Sequence, residues 1–318
     1  MGRGRCTPGE LYNGETIMQQ TKRVIALGFF DGVHLGHAAL LRTVAQRAAQ
    51  LGAVPAAFTF DQHPEDVIFG APRVPLITSP ADRADLMERL YGIREVIVAH
   101  FDQRMMHMDW EAFVTDYLVG KYGAVHLVAG HDFHFGYKGQ GNPARLMEKC
   151  AQLGIGCDIV PKVEMDGITI SSTYIRSLVA QGEMERAIEF LGHPYTLTAS
   201  VEHGKKLGSA LGFPTVNLTF APGVMTPAFG VYATKVWVGE DCYSAVTNVG
   251  IRPTVDDGDK VNVEGFLLDF SGDLYGKTLR MDFYRRLREE RKFNSLEELR
   301  DEVMRNVQQT RDYFAEQK

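Results

Sequence analysis

Residues 24–30 read VIALGFF, an apolar run that leads directly into Asp31-Gly-Val-His34-Leu-Gly36-His37 and then into a helical pattern. A short apolar run that ends in a glycine-containing loop is typical of a strand buried on both faces. The same alternation of apolar run and amphipathic helix continues through the first half of the sequence. It predicts an α/β Rossmann-like domain, with a parallel sheet covered by helices on both faces. The predicted strands span residues 24–30, 54–60, 95–101, 124–130 and 155–160, and the predicted helices span residues 38–51, 81–90, 109–122, 144–154, 173–181 and 183–192.

The pattern changes after Gly192-His193-Pro194, where the helical periodicity stops. Short strand patterns separated by turn-forming segments follow, and this spacing predicts a small antiparallel β-barrel. A C-terminal helix is predicted at 295–317, because Ser295 and Glu298 form a capping box. We therefore expect two domains, residues 1–192 and 193–318. The predicted barrel strands are 195–203, 230–238, 243–250, 261–270 and 278–287.

Composition excludes several classes of protein. The chain has 318 residues and a net charge of −6, without the positive excess that drives nucleic-acid binding. The four cysteines form no CxxC pair and no zinc-ligand spacing. No apolar run approaches the ~20 residues of a membrane span, and the first residues lack the apolar core of a secretory signal. The sequence predicts a cytoplasmic enzyme with small-molecule substrates, and it gives no indication of oligomeric state.

His34 and His37 follow the first predicted strand and lie three residues apart at the start of a helix. Backbone N–H groups at a helix N-terminus form an anion site, and two imidazoles on one face of the first turn could bind phosphate oxygens. Gly36 would allow a close approach of a phosphate to the backbone. The alternative is that both histidines only cap the helix.

Residues 171–176, Ser-Ser-Thr-Tyr-Ile-Arg, open another helix after the last predicted strand of the first domain. The hydroxyls of Ser172 and Thr173 and the guanidinium of Arg176 suit phosphate oxygens. The alternative is an ordinary helix N-cap.

The motif HxGH after the first strand, paired with SSTxIR after the last, resembles the adenylyltransferase superfamily. GFFDGVHLGH (28–37), TFDQHP (59–64) and GHDFHFG (130–136) are most similar to its flavin branch. The resemblance implies that FMN attacks the α-phosphorus of ATP. It implies ATP binding by His34, His37, Gly28, Asp31, Gly36, Ser172, Thr173 and Arg176, and an acceptor or ribose contact by Asp132. Asp132 could instead be a turn residue that holds its own backbone. Tyr174 and Thr169 depart from the family, where basic residues are frequent.

Residues 204–217, GKKLGSALGFPTVN, place three glycines before a Pro-Thr-x-Asn segment that we interpret as a turn. A glycine-rich flap can cover ATP phosphates with its N–H groups, and Gly204, Lys205 and Gly212 belong to it. The Thr215 hydroxyl and the Asn217 amide carbonyl are hard oxygen ligands suited to Mg²⁺.

A series of later segments resembles the riboflavin kinase domain along its whole length. These segments are GFPTVNL (212–218), FGVYA (229–233), TNVGIRPT (247–254), VEGFLLDF (263–270), GDLYGK (272–277) and RLREERKF (286–293). The resemblance implies that Glu264 is the catalytic base, and that Arg288 and Phe293 contact the flavin. From spacing alone, Glu264 could be a solvated strand residue and Arg288 a surface charge.

The whole chain thus resembles the bifunctional riboflavin kinase/FMN adenylyltransferase family, the prokaryotic FAD synthetases. This implies two ATP-dependent steps, riboflavin to FMN and FMN to FAD, with Mg²⁺ as cofactor. One alternative is a riboflavin kinase with a weak or inactive transferase domain, because of Tyr174 and Thr169. The other is a regulator that binds flavin or nucleotide without turnover.

Overall fold

The first half of the chain folds around a five-stranded parallel sheet, as predicted. The computed structural model describes residues 21–202, 215–252 and 260–317. Val24 and Ala26 face one core cluster and Ile25 and Leu27 face another, so helices cover both sides of the sheet. The strand order is β3-β2-β1-β4-β5. The strands are β1 (Arg23–Leu27), β2 (Val54–Phe60), β3 (Glu95–Ala99), β4 (Ala124–Gly130) and β5 (Gly156–Val160).

The helices lie between these strands. The segment predicted at 109–122 begins as an α-helix and continues as a wider π-helix over Phe113–Lys121, which buries Phe113, Val114 and Leu118. A two-stranded hairpin, β6 (Glu164–Met165) and β7 (Ile168–Thr169), precedes the last two helices of the domain. The α-helices are α1 (Leu35–Leu51), α2 (Pro64–Phe69), α3 (Pro80–Tyr91), α4 (Gln103–Met106), α5 (Trp110–Ala112), α6 (Pro143–Leu153), α7 (Ser172–Gln181) and α8 (Met184–Leu191).

The second half is a six-stranded antiparallel sheet in the order β8-β13-β10-β11-β12-β9. A backbone hydrogen bond of 2.8 Å from Glu202 N to Asn217 O joins the two ends of this order, so the sheet curls into the predicted barrel. The strands are β8 (Tyr195–Ser200), β9 (Thr215–Leu218), β10 (Gly230–Val238), β11 (Asp241–Arg252), β12 (Lys260–Leu267) and β13 (Thr278–Arg288).

The interpretation of Pro-Thr-x-Asn as a turn was wrong. Thr215–Leu218 is strand β9, which pairs antiparallel with β12 in the register Asn217↔Glu264. The segment has only four residues, two polar and two apolar, and its strand conformation comes from pairing with residues distant in sequence.

The C-terminal helix α9 (Leu296–Glu316) lies against the outside of the barrel. Ser295 is its N-cap and accepts a hydrogen bond from Glu298 N, which is one half of the predicted capping box. The Glu298 carboxylate accepts its bond from Asn294 N, the residue before the N-cap, so the reciprocal half is displaced by one residue. Tyr313 and Phe314 pack against Ala233 of β10.

The two halves share one hydrophobic core. α7 and α8 contribute Ile175, Leu178 and Phe190 to the same cluster as Tyr195 and Tyr232 of the barrel. Backbone hydrogen bonds of 2.8 Å also join Leu76 to Gly223 and to Met225. The chain turns from α8 into the barrel at Gly192, whose φ is +80°, and a Cβ there would lie 2.5 Å from Leu35 Cδ2.

Among the residues that the structure describes, every helix is too short or too polar to traverse a lipid bilayer.

Because the core is shared, we expect Phe190→Ala to destabilise both halves together. Phe190 is fully buried, and the loss of a buried phenyl ring lowers the free energy of unfolding by about 3–5 kcal/mol. Calorimetry should show one transition that moves to lower temperature. Phe69→Ala, at a position that is 54% exposed, is the control and should move it little. Two separate transitions, only one of which moves, would contradict the shared core.

Candidate active sites

The first site lies at the carboxyl edge of the parallel sheet, between β1 and β4. From β1 the chain proceeds to β2 and β3 on one side, whereas β4 and β5 lie on the other, so the loops after β1 and β4 diverge and leave a cleft. The cleft has a volume of about 480 Å³. The predicted residues that line it are Gly28, His34, Gly36, His37, Asp132, Ser172, Thr173 and Arg176.

The loop after β1 has an unusual backbone. Phe30, Gly32 and Val33 all have positive φ, of 57°, 80° and 42°. Only glycine adopts this region without strain, and a β-branched residue there is a true outlier. The loop is held by hydrogen bonds from Val33 N to Phe30 O, 3.0 Å, and from Gly32 N to the Thr78 hydroxyl, 3.0 Å.

Asp31 lies behind the cleft and does not line it. Its carboxylate is 1% exposed and accepts hydrogen bonds from Ile77 N at 2.9 Å and Thr78 N at 3.0 Å. It also pairs with Arg176 Nη2 at 2.8 Å. Its backbone carbonyl accepts from the Ser172 hydroxyl at 2.9 Å. Asp31 therefore joins the β1 loop, the segment before α3 and the start of α7.

His34 and His37 are brought together in a fixed arrangement. Their rings stack with centroids 3.6 Å apart, and His34 is the N-cap of α1, its Nδ1 accepting from His37 N at 3.3 Å. This bond leaves the proton on His34 Nε2. A Cβ on Gly36 would lie 3.0 Å from His34 Cε1, so a glycine at this position leaves room for the His34 ring.

Both imidazoles are neutral at pH 7. Burial lowers the pKa of His34 to about 3 and lowers the pKa of His37 well below its ordinary value. His37 Nδ1 is buried and has no hydrogen-bond partner among the described residues. The two rings therefore act as neutral hydrogen-bonding groups and not as cations.

The start of α7 forms the opposite wall of the cleft. Ser171 is the N-cap and accepts from Tyr174 N at 3.3 Å, and Ser172 and Thr173 begin the helix. Arg176 is held by Asp31 and by a 2.8 Å bond from its Nε to Pro75 O. The free N–H groups at this helix start, the Thr173 hydroxyl and Arg176 make the wall suitable for an anion.

The positions that depart from the family behave differently from one another. Tyr174 packs edge-on against Phe190, with ring centroids 4.8 Å apart, and does not line the cleft. Thr169 does line it, beside Lys162. The Tyr174 side chain therefore contributes nothing to the cleft wall, whereas Thr169 is part of it.

Arg83 was missed by the sequence analysis. It is fully buried on α3, stacks 4.4 Å from the centroid of the Phe29 ring and donates to the Thr59 hydroxyl and to Phe60 O at 2.8 and 2.9 Å. It thereby ties the end of β1 to the end of β2. The available signal was its position on the apolar stripe of α3, three and four residues before Leu86 and Met87.

An aromatic cavity of about 280 Å³ adjoins the cleft and was also missed. Phe60, Phe133 and His134 line both spaces, and Phe101, Phe135 and Met105 complete much of the apolar wall. The motifs TFDQHP and GHDFHFG supply residues to it. Their aromatic residues were the signal that a flat apolar ligand could bind here.

The second site is a cavity of about 290 Å³ on the barrel, called here the barrel cavity. Glu264, half-buried on β12, lines it together with Asn248 and Thr215. Asn217 and Asn248 flank Glu264 in the sheet register on the two neighbouring strands, so the three side chains lie on one face. Glu264 Oε1 accepts from Asn262 Nδ2 at 2.8 Å.

The structure tests whether Thr215 and Asn217 suit a cation. Asn217 Oδ1 is buried, and no described residue donates a hydrogen bond to it. A buried carbonyl oxygen without a donor is destabilising unless a ligand meets it. Thr215, two residues earlier on the same strand face, adds a hydroxyl oxygen. These hard oxygen donors fit Mg²⁺.

Arg288 and Phe293 both line the barrel cavity, so Arg288 is not the surface charge of the alternative interpretation. The Arg288 side chain is 19% exposed, its Nε donates to Asn306 Oδ1 at 3.1 Å, and its guanidinium lies 5.6 Å from the Phe293 ring. Gly204, Lys205 and Gly212 lie outside the described residues.

Comparisons with known proteins agree with this two-site arrangement. The family model of FAD synthetase matches residues 16–174, and that of riboflavin kinase matches residues 191–314. The bifunctional riboflavin kinase/FMN adenylyltransferase of Listeria monocytogenes is 37% identical over 92% of this chain and 93% of its own. The Bacillus subtilis protein of the same name is 36% identical, with 93% and 94% covered. A crystal structure from Streptococcus pneumoniae, described as a macrolide-efflux protein, is 30% identical with a TM-score of 0.80, covering 92% of this chain and 94% of that one.

Replacing Asp31 with asparagine should strongly destabilise the first domain. The amide keeps the size of the side chain but leaves Arg176 unpaired and removes one acceptor, and breaking a buried pair lowers the free energy of unfolding by about 3–5 kcal/mol. Urea unfolding measures this. Asp132→Asn, at an exposed position of the cleft, is the control and should change it by less than about 0.5 kcal/mol. An Asp31→Asn protein as stable as the wild type would refute the role of this carboxylate.

Because His34 and His37 are buried as neutral imidazoles, we expect the folded protein to lose stability in acid. The pKa of His34 is about 3 in the folded state and about 6.5 unfolded, so the unfolded state binds more protons between these values. The free energy of unfolding is highest above pH 6.5 and decreases as the pH is lowered. His34 alone accounts for a decrease of about 2 kcal/mol at pH 5. His34→Asn, which can still cap α1, should reduce the pH dependence measured by urea unfolding from pH 7 to 5. An unchanged dependence would contradict the assignment.

Proposed function

The chain belongs to the bifunctional riboflavin kinase/FMN adenylyltransferase family, and we propose that its two halves catalyse successive ATP-dependent steps of FAD synthesis. The barrel phosphorylates riboflavin to FMN, and the parallel-sheet half adenylylates FMN to FAD. The observation that carries the proposal is that each family model covers a cavity lined by predicted site residues, His34, His37, Ser172, Thr173 and Arg176 in the cleft and Thr215, Glu264, Arg288 and Phe293 in the barrel cavity. Asp31 does not line the cleft, and Asn217 does not line the barrel cavity. We divide the chain near Gly192, into 1–192 and 193–318.

In the transferase site we assign the ATP phosphates to the cleft between His34 and the start of α7. An oxygen of the FMN phosphate bonds to the α-phosphorus, the bond from that phosphorus to the β-bridging oxygen breaks, and pyrophosphate leaves with the electron pair. The chain's contribution is alignment and hydrogen bonding to the growing negative charge. His34 Nε2–H, the N–H groups at the start of α7 and Arg176 are the donors we assign to this role, with Gly28, Gly36, His37, Ser172 and Thr173 shaping the contact.

We place the flavin ring of FMN in the aromatic cavity. This is supported by its apolar wall of phenylalanine and methionine side chains and by its opening to the cleft at Phe60 and Phe133. Asp132, which is exposed at the rim of the cleft, is then near the ribose or the acceptor.

In the kinase site we assign Glu264 as the general base. The 5′-hydroxyl oxygen of riboflavin bonds to the γ-phosphorus of ATP, its proton passes to the Glu264 carboxylate, and ADP leaves. Thr215 lines both the barrel cavity and a smaller adjoining cavity of about 110 Å³, a position between the two substrates. Mg²⁺ held by Thr215 and Asn217 would supply neutralisation of phosphate charge. Arg288 and Phe293 are assigned to the flavin, and Gly204, Lys205 and Gly212 to the ATP phosphates.

We propose small-molecule substrates only, with no nucleic-acid or membrane partner, and a cytoplasmic location where ATP and riboflavin are available. The alternative of an inactive transferase domain rests on the absence of basic residues at Tyr174, which packs on Phe190, and at Thr169, which lines the cleft. The non-catalytic regulator has no observation in its favour.

The test is chromatographic separation of flavins after incubation with riboflavin, ATP and Mg²⁺. The wild type should give FMN and then FAD. Glu264→Gln should slow FMN formation by about 10²–10⁴-fold and leave FAD formation from supplied FMN intact. His37→Asn should slow only FAD formation, by about 10²-fold or more. FMN without FAD, even from supplied FMN, would favour the inactive-transferase alternative, and no product at all would exclude the enzyme.

A further inference from the structure

Glu302 on α9 is a buried carboxylate surrounded by three guanidinium groups. It is 7% exposed. Arg291 Nη2 lies 2.7 Å and Arg305 Nη1 2.5 Å from its Oε2, and Arg288 Nε lies 3.3 Å from its Oε1. A buried acid is stable only when such partners compensate for its lost hydration.

Two of these three arginines line the barrel cavity, and the third does not. Arg288 and Arg291 are part of the cavity wall, whereas the Arg305 side chain is 68% exposed on the outer side of α9. Both guanidinium groups lie near the Phe293 ring, at 5.6 Å for Arg288 and 4.9 Å for Arg291. Glu302 does not line the cavity itself.

One turn further along α9, Asn306 completes the support. It is 1% exposed, and its Oδ1 accepts from Arg288 Nε at 3.1 Å. Arg288 Nε thus donates to Asn306 and forms an ion pair with Glu302, and these two residues lie on successive turns of one helix. Long arginine side chains lose conformational entropy when they are fixed, and a hydrogen bond together with an ion pair to a rigid element can compensate for that loss.

We propose that Glu302 is a positioning residue of the kinase site, which holds Arg288 and Arg291 against Phe293 so that the wall of the flavin cavity is formed before riboflavin binds. The inference rests on the proposed kinase function. Glu302 acts through the two arginines, and α9 is therefore a part of the substrate site. A wall formed in advance lowers the entropy lost on binding, so its loss weakens riboflavin binding more than it slows the chemical step.

The test is Glu302→Gln, which preserves size but turns one acceptor oxygen into a donor that faces an arginine. We expect the KM and the Kd for riboflavin to rise by about tenfold or more, as for loss of a hydrogen bond between charged groups, with kcat changed less than about threefold. Glu302→Asp, which keeps the charge, should restore part of the affinity. FAD formation from supplied FMN, catalysed by the other domain, reports whether the variant is folded.

Two control variants separate positioning from general stability. Arg305→Met removes a partner of Glu302 outside the cavity, and Glu297→Gln changes an exposed acid in the first turn of α9. Both should leave the riboflavin KM unchanged. An unchanged KM in Glu302→Gln would overturn the inference, as would parallel loss of both activities.

The Kd distinguishes failure of the inference from failure of the proposed function. If the wild type binds riboflavin without phosphorylating it, the proposed function is wrong, and the Kd of Glu302→Gln still decides the inference. If the wild type does not bind riboflavin, both are wrong.

Discussion

The carboxylate of Asp31 is the contact on which the first site depends. After β1 the chain enters a loop with three positive φ angles. This strained backbone would relax if no hydrogen bonds from outside the loop held it. The Asp31 carboxylate provides those bonds by accepting the backbone N–H groups of Ile77 and Thr78 and the guanidinium of Arg176. The Asp31 residue thereby joins the loop that carries His34 to the segment before α3 and to the start of α7. Its own neutralisation by Arg176 is in turn what makes its burial tolerable.

The same contact connects the two halves of the chain. The residues that bind Asp31 are next to Leu76, which makes backbone hydrogen bonds to the loop between β9 and β10 of the barrel. His193 adds a 3.0 Å contact from its Nε2 to Gly32 O in the β1 loop. The barrel thus supports the cleft of the first site from behind, in addition to having its own cavity. These contacts are a physical reason for the two domains to occur in one chain.

Local sequence patterns predicted the parts of the fold that local physics determines. Strands β1 and β4 and the Ser295 N-cap are encoded by neighbouring residues. The predicted end of the first strand was wrong, because β1 ends at Leu27 and residues 28–30 belong to the loop that Asp31 holds. The role of Asp31 was not predictable, because its partners lie 46 and 145 residues away. Strand β9 was missed for the same reason, because a segment of only four residues becomes a strand by pairing with β12, which is distant in sequence. Sequence motifs identified residues of the two cavities, but they did not show which residues line a cavity and which, like Asp31, lie behind its wall.

Arg83 and Glu302 have corresponding structural roles in the two domains. Each is a buried charge on the core-facing side of a helix, and each holds a segment of cavity wall that the helix itself does not form. Exchange of such a residue for an apolar one of similar size is often neutral for stability, so folding alone does not require the charge. The cavity wall requires the buried charge, because only a charged or hydrogen-bonding group fixes the direction of a neighbouring backbone carbonyl or guanidinium. A charged residue in the apolar stripe of a predicted helix is therefore a sequence signal for the support of a binding site.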